Sequence, residues 1–191
     1  MLTQNKKIMK PFQISILLLS ISLFFSCSKD DVLTEVNNWE IYEKERAAWE
    51  ALVKKNYQFT YYYNIGFGVD HVAKIAISEN QEPRFIEKSP LFSENAIPIR
   101  TISDIYDLID EFRWQMEIIN AIRAGNVIPF GPDNPFNLNP NNVSNIKSMH
   151  LSVTYNTKYH YPQEVIERRE FYEQPSGYGG LTIRIIEFIP K

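Results

Sequence analysis

The chain has 191 residues and one cysteine, Cys27. A lone thiol closes no disulfide within the chain and builds no cysteine metal cluster. Histidine is also scarce. The three present, His71, His150 and His160, fall on or beside three different predicted strands. They could share a metal only if the fold converged them, so no metal or other cofactor is expected. No uninterrupted apolar run reaches the roughly 20 residues that cross a bilayer as a helix. Basic residues are not in excess: 20 Lys and Arg face 23 Asp and Glu, a net charge of −3. Nucleic-acid binders carry a basic patch, so that class is set aside. Sites with a recognisable local signature are missing too. Gly66-Phe67-Gly68 and Gly177-Tyr178-Gly179-Gly180 lack the lysine and the strand-to-helix setting of a phosphate loop. There is neither a Gly-x-Ser-x-Gly elbow nor a His-Glu-x-x-His pair.

The chain is rich in aromatics, with 11 Tyr and 12 Phe, and its apolar fraction of 44% is ordinary for a packed domain. Its most distinctive stretch is Lys6 to Asp31. Lys6, Lys7 and Lys10 precede an apolar segment from Phe12 to Phe25, broken by Gln13, Ser15, Ser20 and Ser22. Ser26 and Cys27 follow. A basic segment, a short apolar core and a small residue before a cut site form the secretory pattern.

With the cysteine at the cut site, the stretch resembles a bacterial lipoprotein signal. The resemblance implies cleavage after Ser26 and acylation of Cys27, which then offers no thiol for catalysis. Ser28-Lys29-Asp30-Asp31 resembles the export tag of Bacteroidetes surface lipoproteins, with Lys29, Asp30 and Asp31 as the signal. The expected location is therefore the outer membrane, lipid-anchored and exposed at the cell surface. Each buried methylene contributes about 0.8 kcal/mol, so two or three acyl chains would hold the protein without any membrane-binding surface of its own. Removal of residues 1–26 leaves 165 residues and takes away three lysines, so the net charge moves from −3 to −6. That length suits one domain, 38–191, on a tether, 27–37.

Within the domain, Trp39, Tyr42, Arg46, Trp49, Leu52 and Val53 recur at helical spacing, predicting a helix from Asn38 to Lys55. Tyr57 to Ile65 alternates as a strand, and Gly66 to Asp70 reads as a hairpin connection. Strands are predicted at 71–78 and 84–87. Thr101 or Ser103 caps a second helix whose buried stripe is Ile102, Ile105, Ile109, Phe112, Met116 and Ile119, with Gly125 as its stop. Residues 126–147 hold Pro129, Pro132, Pro135 and Pro140 among repeated Asn, which excludes regular structure. Loops this long are often functional. Strands follow at 149–155, 165–172 and 181–189. The order helix, strands, helix, strands predicts an α+β fold: an antiparallel sheet of about six strands with two helices packed on one face.

Three segments carry a second resemblance. They are the run from Trp49 into the aromatic strand ending at Tyr63, the helix start Thr101-Ile102 through Ile105-Tyr106 to Ile109, and Val153-Thr154-Tyr155 followed by Tyr161-Pro162-Gln163-Glu164-Val165. Together they resemble a domain of unknown function found in secreted bacterial lipoproteins. Such domains often place Gly before the Tyr-Pro and Asp after the strand. This chain has His160 and Asn156 there. The resemblance implies a fold and no activity.

Candidate chemistry remains open in three directions. The first is a non-catalytic surface lipoprotein binding a protein or glycan partner. Exposed rings suit such contacts, and Phe130, Phe136 and Tyr178 fall on predicted loops. Tyr62 and Trp114 fall on predicted polar faces, and Trp114 is expected to finish the core. The second is a periplasm-facing structural or inhibitor-like lipoprotein. The third is a hydrolase with paired carboxylates drawn from Asp104, Asp107, Asp110, Glu111, Glu164, Glu167 and Glu170. These acids read as solvated faces, so no catalytic residue is assigned. Asp133, Asn134, Asn137 and Asn139 lack the spacing of a calcium loop.

Overall fold

The computed structural model of the chain describes residues 39–52, 56–66, 70–90, 92, 99–125, 145–173 and 179–191. All of them belong to one unit, Leu33–Lys191. The elements in chain order are α1 (Trp39–Leu52), β1 (Tyr57–Asn64), β2 (His71–Ile77), β3 (Arg84–Lys88), α2 (Ile102–Arg123), β4 (Ile146–Tyr155), β5 (Pro162–Phe171) and β6 (Leu181–Pro190). The six strands form one open antiparallel sheet in the order β3-β2-β1-β6-β5-β4. This is the α+β fold that the element order predicts.

Alternation decides which face of each strand is covered. Tyr57, Phe59 and Tyr61 point inward on β1, joined by Ala73 and Ile75 on β2 and by Leu181, Ile183 and Ile185 on β6. Both helices lie over this inner face. α2 contributes the expected stripe, all of it buried, together with Tyr106, Gln115 and Ile118. Its start is a capping box: the Thr101 hydroxyl accepts from the Asp104 amide at 3.2 Å, and the Asp104 carboxylate accepts from Thr101 N at 2.7 Å. Gly125 follows the helix with φ +73°, a left-handed conformation that glycine adopts without a Cβ clash. Buried tyrosine hydroxyls tie the sheet to this region. Tyr61 donates to Ile99 O at 3.2 Å, and Tyr57 accepts from Ile102 N at 3.4 Å.

α1 buries less than its pattern predicts. Tyr42 and Trp49 are buried, whereas Leu52 is 41% exposed. Arg46 reaches beyond its own helix. Its guanidinium bonds the Tyr42 hydroxyl at 2.8 Å, Asp107 at 3.1 Å, Glu50 at 3.1 Å and also Asp110. The two helices are therefore joined by a charged seam. Trp49 meets Tyr57 and Phe188 edge-on, which anchors the other end of α1.

One strand corrects an expectation. Glu167 does not lie on a solvated face. It is fully buried on the inner side of β5, paired with Arg169, whose guanidinium lies 5.9 Å from the Phe112 ring. The inward set of β5 is Val165, Glu167, Arg169 and Phe171, so charge occupies core positions there.

Candidate functional site

Strand directions gather the predicted loops. β1 ends, β2 begins, β4 begins, β5 ends and β6 begins at one end of the sheet. The C-terminus of α2 arrives there too, because Arg123 donates to the carbonyls of Ile146 (3.3 Å) and Lys147. The described residues on either side of 126–144 and of 174–178 lie at this end. Their described flanks touch: Asn145 Nδ2 donates to Glu173 O at 2.8 Å, and Glu173 N donates to Asn145 Oδ1 at 3.0 Å. Gly66 and Gly179 meet backbone to backbone. A Cβ on Gly66 would stand 2.3 Å from Gly179 Cα. One described residue of the β1–β2 connection, Gly66, thus meets one of the β5–β6 connection, Gly179. Tyr172, 66% exposed, and Ile65, 44% exposed, also lie at this end.

On the outer face next to that contact, three polar side chains hold one another. Tyr62 Oη donates to Asp70 Oδ1 at 2.6 Å, Asn64 Nδ2 donates to the same oxygen at 2.7 Å, and Gly66 N donates to Asn64 Oδ1 at 2.6 Å. The Tyr62 hydroxyl and then the Asn64 amide stabilise the carboxylate and lower its pKa, and the same carboxylate raises that of Tyr62. Among the described residues both hydrogen-bond partners of Asp70 are neutral. Three other outer-face acids have cations: Glu164 takes Arg184 at 2.5 Å, Glu187 takes Lys74 at 2.9 Å and Glu170 takes Lys147 at 3.6 Å.

The carboxylates considered for hydrolysis are engaged structurally. Asp104 caps α2, Asp107 and Asp110 hold Arg46, and Glu111 accepts from Gln115 at 3.0 Å. Glu164, Glu167 and Glu170 each pair with a cation. The histidines do not converge. His71 opens β2, His150 lies on edge strand β4, and His160 sits in the β4–β5 turn at the opposite end of the sheet from His71. His160 Nδ1 pairs with Glu45 at 2.7 Å, and its carbonyl accepts from the Tyr106 hydroxyl. Among the described residues no group of three or more His, Cys, Asp or Glu could hold a metal, and no helix is long and apolar enough to cross a membrane.

Cys27, Lys29, Asp30, Asp31, Phe130, Phe136 and Tyr178 lie outside the described residues, as do the expected leader and tether. Tyr62 lies on the outer face, and Trp114 packs partly buried against the core. Sequence reasoning did not single out Asn64 or Asp70 as site residues. The available signal was their position on either side of the Gly66-Phe67-Gly68 connection, which brings hairpin flanks together. Comparison with protein-family models, curated proteins and solved structures finds no match.

Proposed function

We propose that this chain is a non-catalytic lipoprotein of the outer membrane that binds a protein or glycan partner at the loop end of its sheet. In this reading, acyl groups on Cys27 anchor it, and Lys29, Asp30 and Asp31 direct it to the cell surface. The carrying observation is the shared origin of the segments that hold Phe130, Phe136 and Tyr178, whose described flanks meet at Asn145 with Glu173 and at Gly66 with Gly179. Loops on a rigid sheet are where recognition residues concentrate. The structural engagement of the candidate acids favours binding over hydrolysis. Eleven tether residues, 27–37, extend at most about 40 Å, so the domain would remain close to the membrane.

Protease treatment of intact cells tests the location. Native chain should be cleaved, and a variant with Lys29, Asp30 and Asp31 all changed to alanine should be protected. Photo-crosslinkers at positions 130 and 178 test the contact. A discrete adduct there, but not from position 74 on the outer face, supports the loop end. Protection of the native chain, or equal crosslinking from all three positions, overturns the reading.

A further inference from the structure

The outer face beside the loop end pairs an acceptor with a donor across an aromatic ring, and from this we infer that the domain's partner is a neutral glycan bound over Tyr62. The inference rests on the binding role proposed above and deepens it. Tyr62 is the ladder partner of Arg184 on β6, and its hydroxyl bonds Asp70 at the mouth of the β1–β2 hairpin. β2, which Asp70 immediately precedes, and β6, which carries Arg184, flank β1 and stand about 10 Å apart. Asp70 is exposed, and its Oδ1 already takes both neutral donors. Among the described residues no donor meets its Oδ2. Arg184 gives Nε and Nη2 to Glu164 at 2.8 and 2.5 Å, and among the described residues its Nη1 meets no acceptor. Asn64 and Thr182, paired on the next rung, add an amide and a hydroxyl.

Charge complementarity selects the ligand class. Arg184 and Glu164 neutralise each other beside the ring, and the Asp70 carboxylate, held by two neutral donors, disfavours an anion. A sugar hydroxyl both donates and accepts, so it satisfies Asp70 on one side and Arg184 on the other. The C–H face of a pyranose fits the apolar body of a tyrosine ring. The side chains are preorganised, because the strands fix their backbones and the 2.6 and 2.7 Å bonds fix their rotamers. Preorganisation lowers the ordering cost of binding.

The test is affinity electrophoresis of the full lipidated chain in detergent, through gels containing dextran, mannan or xylan. Heparin and chitosan serve as charged comparators. Retardation by at least one neutral polysaccharide is expected. Asp70→Asn and Tyr62→Ala should each weaken it by about tenfold or more, as expected for loss of a charged hydrogen bond or a stacking surface. Lys74→Gln, on the same face but paired with Glu187, should leave it unchanged. Retardation by heparin or chitosan alone overturns the inference, as does retardation that survives both Asp70→Asn and Tyr62→Ala. No retardation in any gel, with a protein adduct still formed from positions 130 and 178, overturns the glycan inference and leaves the binding domain standing. Protection of the native chain from protease on intact cells overturns the surface reading instead.

Discussion

Gly66 and Gly179 touch through their backbones, although they lie 113 positions apart in the chain. Gly66 also has φ +81°. Gly66→Ala therefore meets two penalties: a left-handed conformation and a Cβ placed 2.3 Å from Gly179 Cα. Gly179→Ala meets only the second, with Gly66 Cα at 2.7 Å. Urea unfolding should show losses of roughly 1–3 kcal/mol for Gly179→Ala and a larger loss for Gly66→Ala. Equal stability to wild type in both variants would mean that the two connections do not meet.

Arg46 is the hub of the seam between α1 and α2. Its side chain is 27% exposed, and Asp110 beside it is 33% exposed. Arg46→Ala leaves the Asp110 carboxylate and the buried Tyr42 hydroxyl without their cation. We expect a loss of roughly 2–3 kcal/mol in denaturant unfolding. Glu50, 61% exposed, touches the same guanidinium. Glu50→Ala should change stability by less than about 0.5 kcal/mol, since exposed helical pairs contribute little. A loss from Glu50→Ala matching that from Arg46→Ala would contradict this division.

His160 occupies a left-handed position, φ +58°. Glycine adopts that conformation without the Cβ penalty that His160 meets. Asn156 lies in the same β4–β5 turn. Its Oδ1 accepts from Lys158 N at 3.1 Å and Tyr159 N at 2.9 Å, as an aspartate would. Both His160→Ala and His160→Gly remove the contact with Glu45, but only the glycine variant relieves the backbone. The glycine variant should unfold at higher urea than the alanine variant, by about 1 kcal/mol of stability. The reverse order would show that the turn carries no such strain.

The helices and strands were legible because their apolar periods are regular, as in the stripe from Ile102 to Ile119. The strand boundaries were less so. β4 begins at Ile146 and β5 at Pro162, earlier than the expected 149 and 165, because polar Lys147, Ser148, Gln163 and Glu164 dilute the signal at their starts. Glu167 was misjudged because four of the six residues from Glu164 to Arg169 are charged, which hides the inward row. The loop segments could be named from proline and asparagine, but the gathering of their described flanks at one end depends on strand order. Asp70 with Tyr62 depends on hairpin geometry, and Arg184 beside them on β6 pairing with β1 across more than 100 residues.

The buried tyrosines predict a steep alkaline transition. Burial raises the pKa of Tyr42, Tyr61, Tyr106 and Tyr155, and pushes Tyr57 up to about 12. A tyrosine whose folded value exceeds its unfolded value of about 10 binds its proton more tightly when folded. That contribution is fully present below pH 10 and is lost as pH rises toward 12 and beyond, because the unfolded chain ionises first. For Tyr57 alone the loss amounts to roughly 3 kcal/mol. Absorbance at 295 nm should show the exposed tyrosines titrating smoothly, then a cooperative rise coincident with loss of far-ultraviolet circular dichroism. Smooth ionisation of all tyrosines with the fold intact would contradict their burial.

Glu167 tests what a buried ion pair contributes here. Its carboxylate is fully buried and bonds the Arg169 guanidinium, whose side chain is 17% exposed. Removing only the acid, as in Glu167→Leu, leaves a largely buried guanidinium without its closest anion. The expected loss is roughly 3–5 kcal/mol. Removing both charges, as in Glu167→Leu with Arg169→Met, replaces a desolvated pair by apolar volume against Phe112 and Leu151, Glu167's ladder partner on β4. Desolvation costs about as much as the pair regains, so the double variant should recover most of the loss seen in the single variant. Urea unfolding of the two variants measures this directly. A double variant no more stable than the single one would mean that both charges serve further contacts, and that the polar interior of β5 is required by the fold itself.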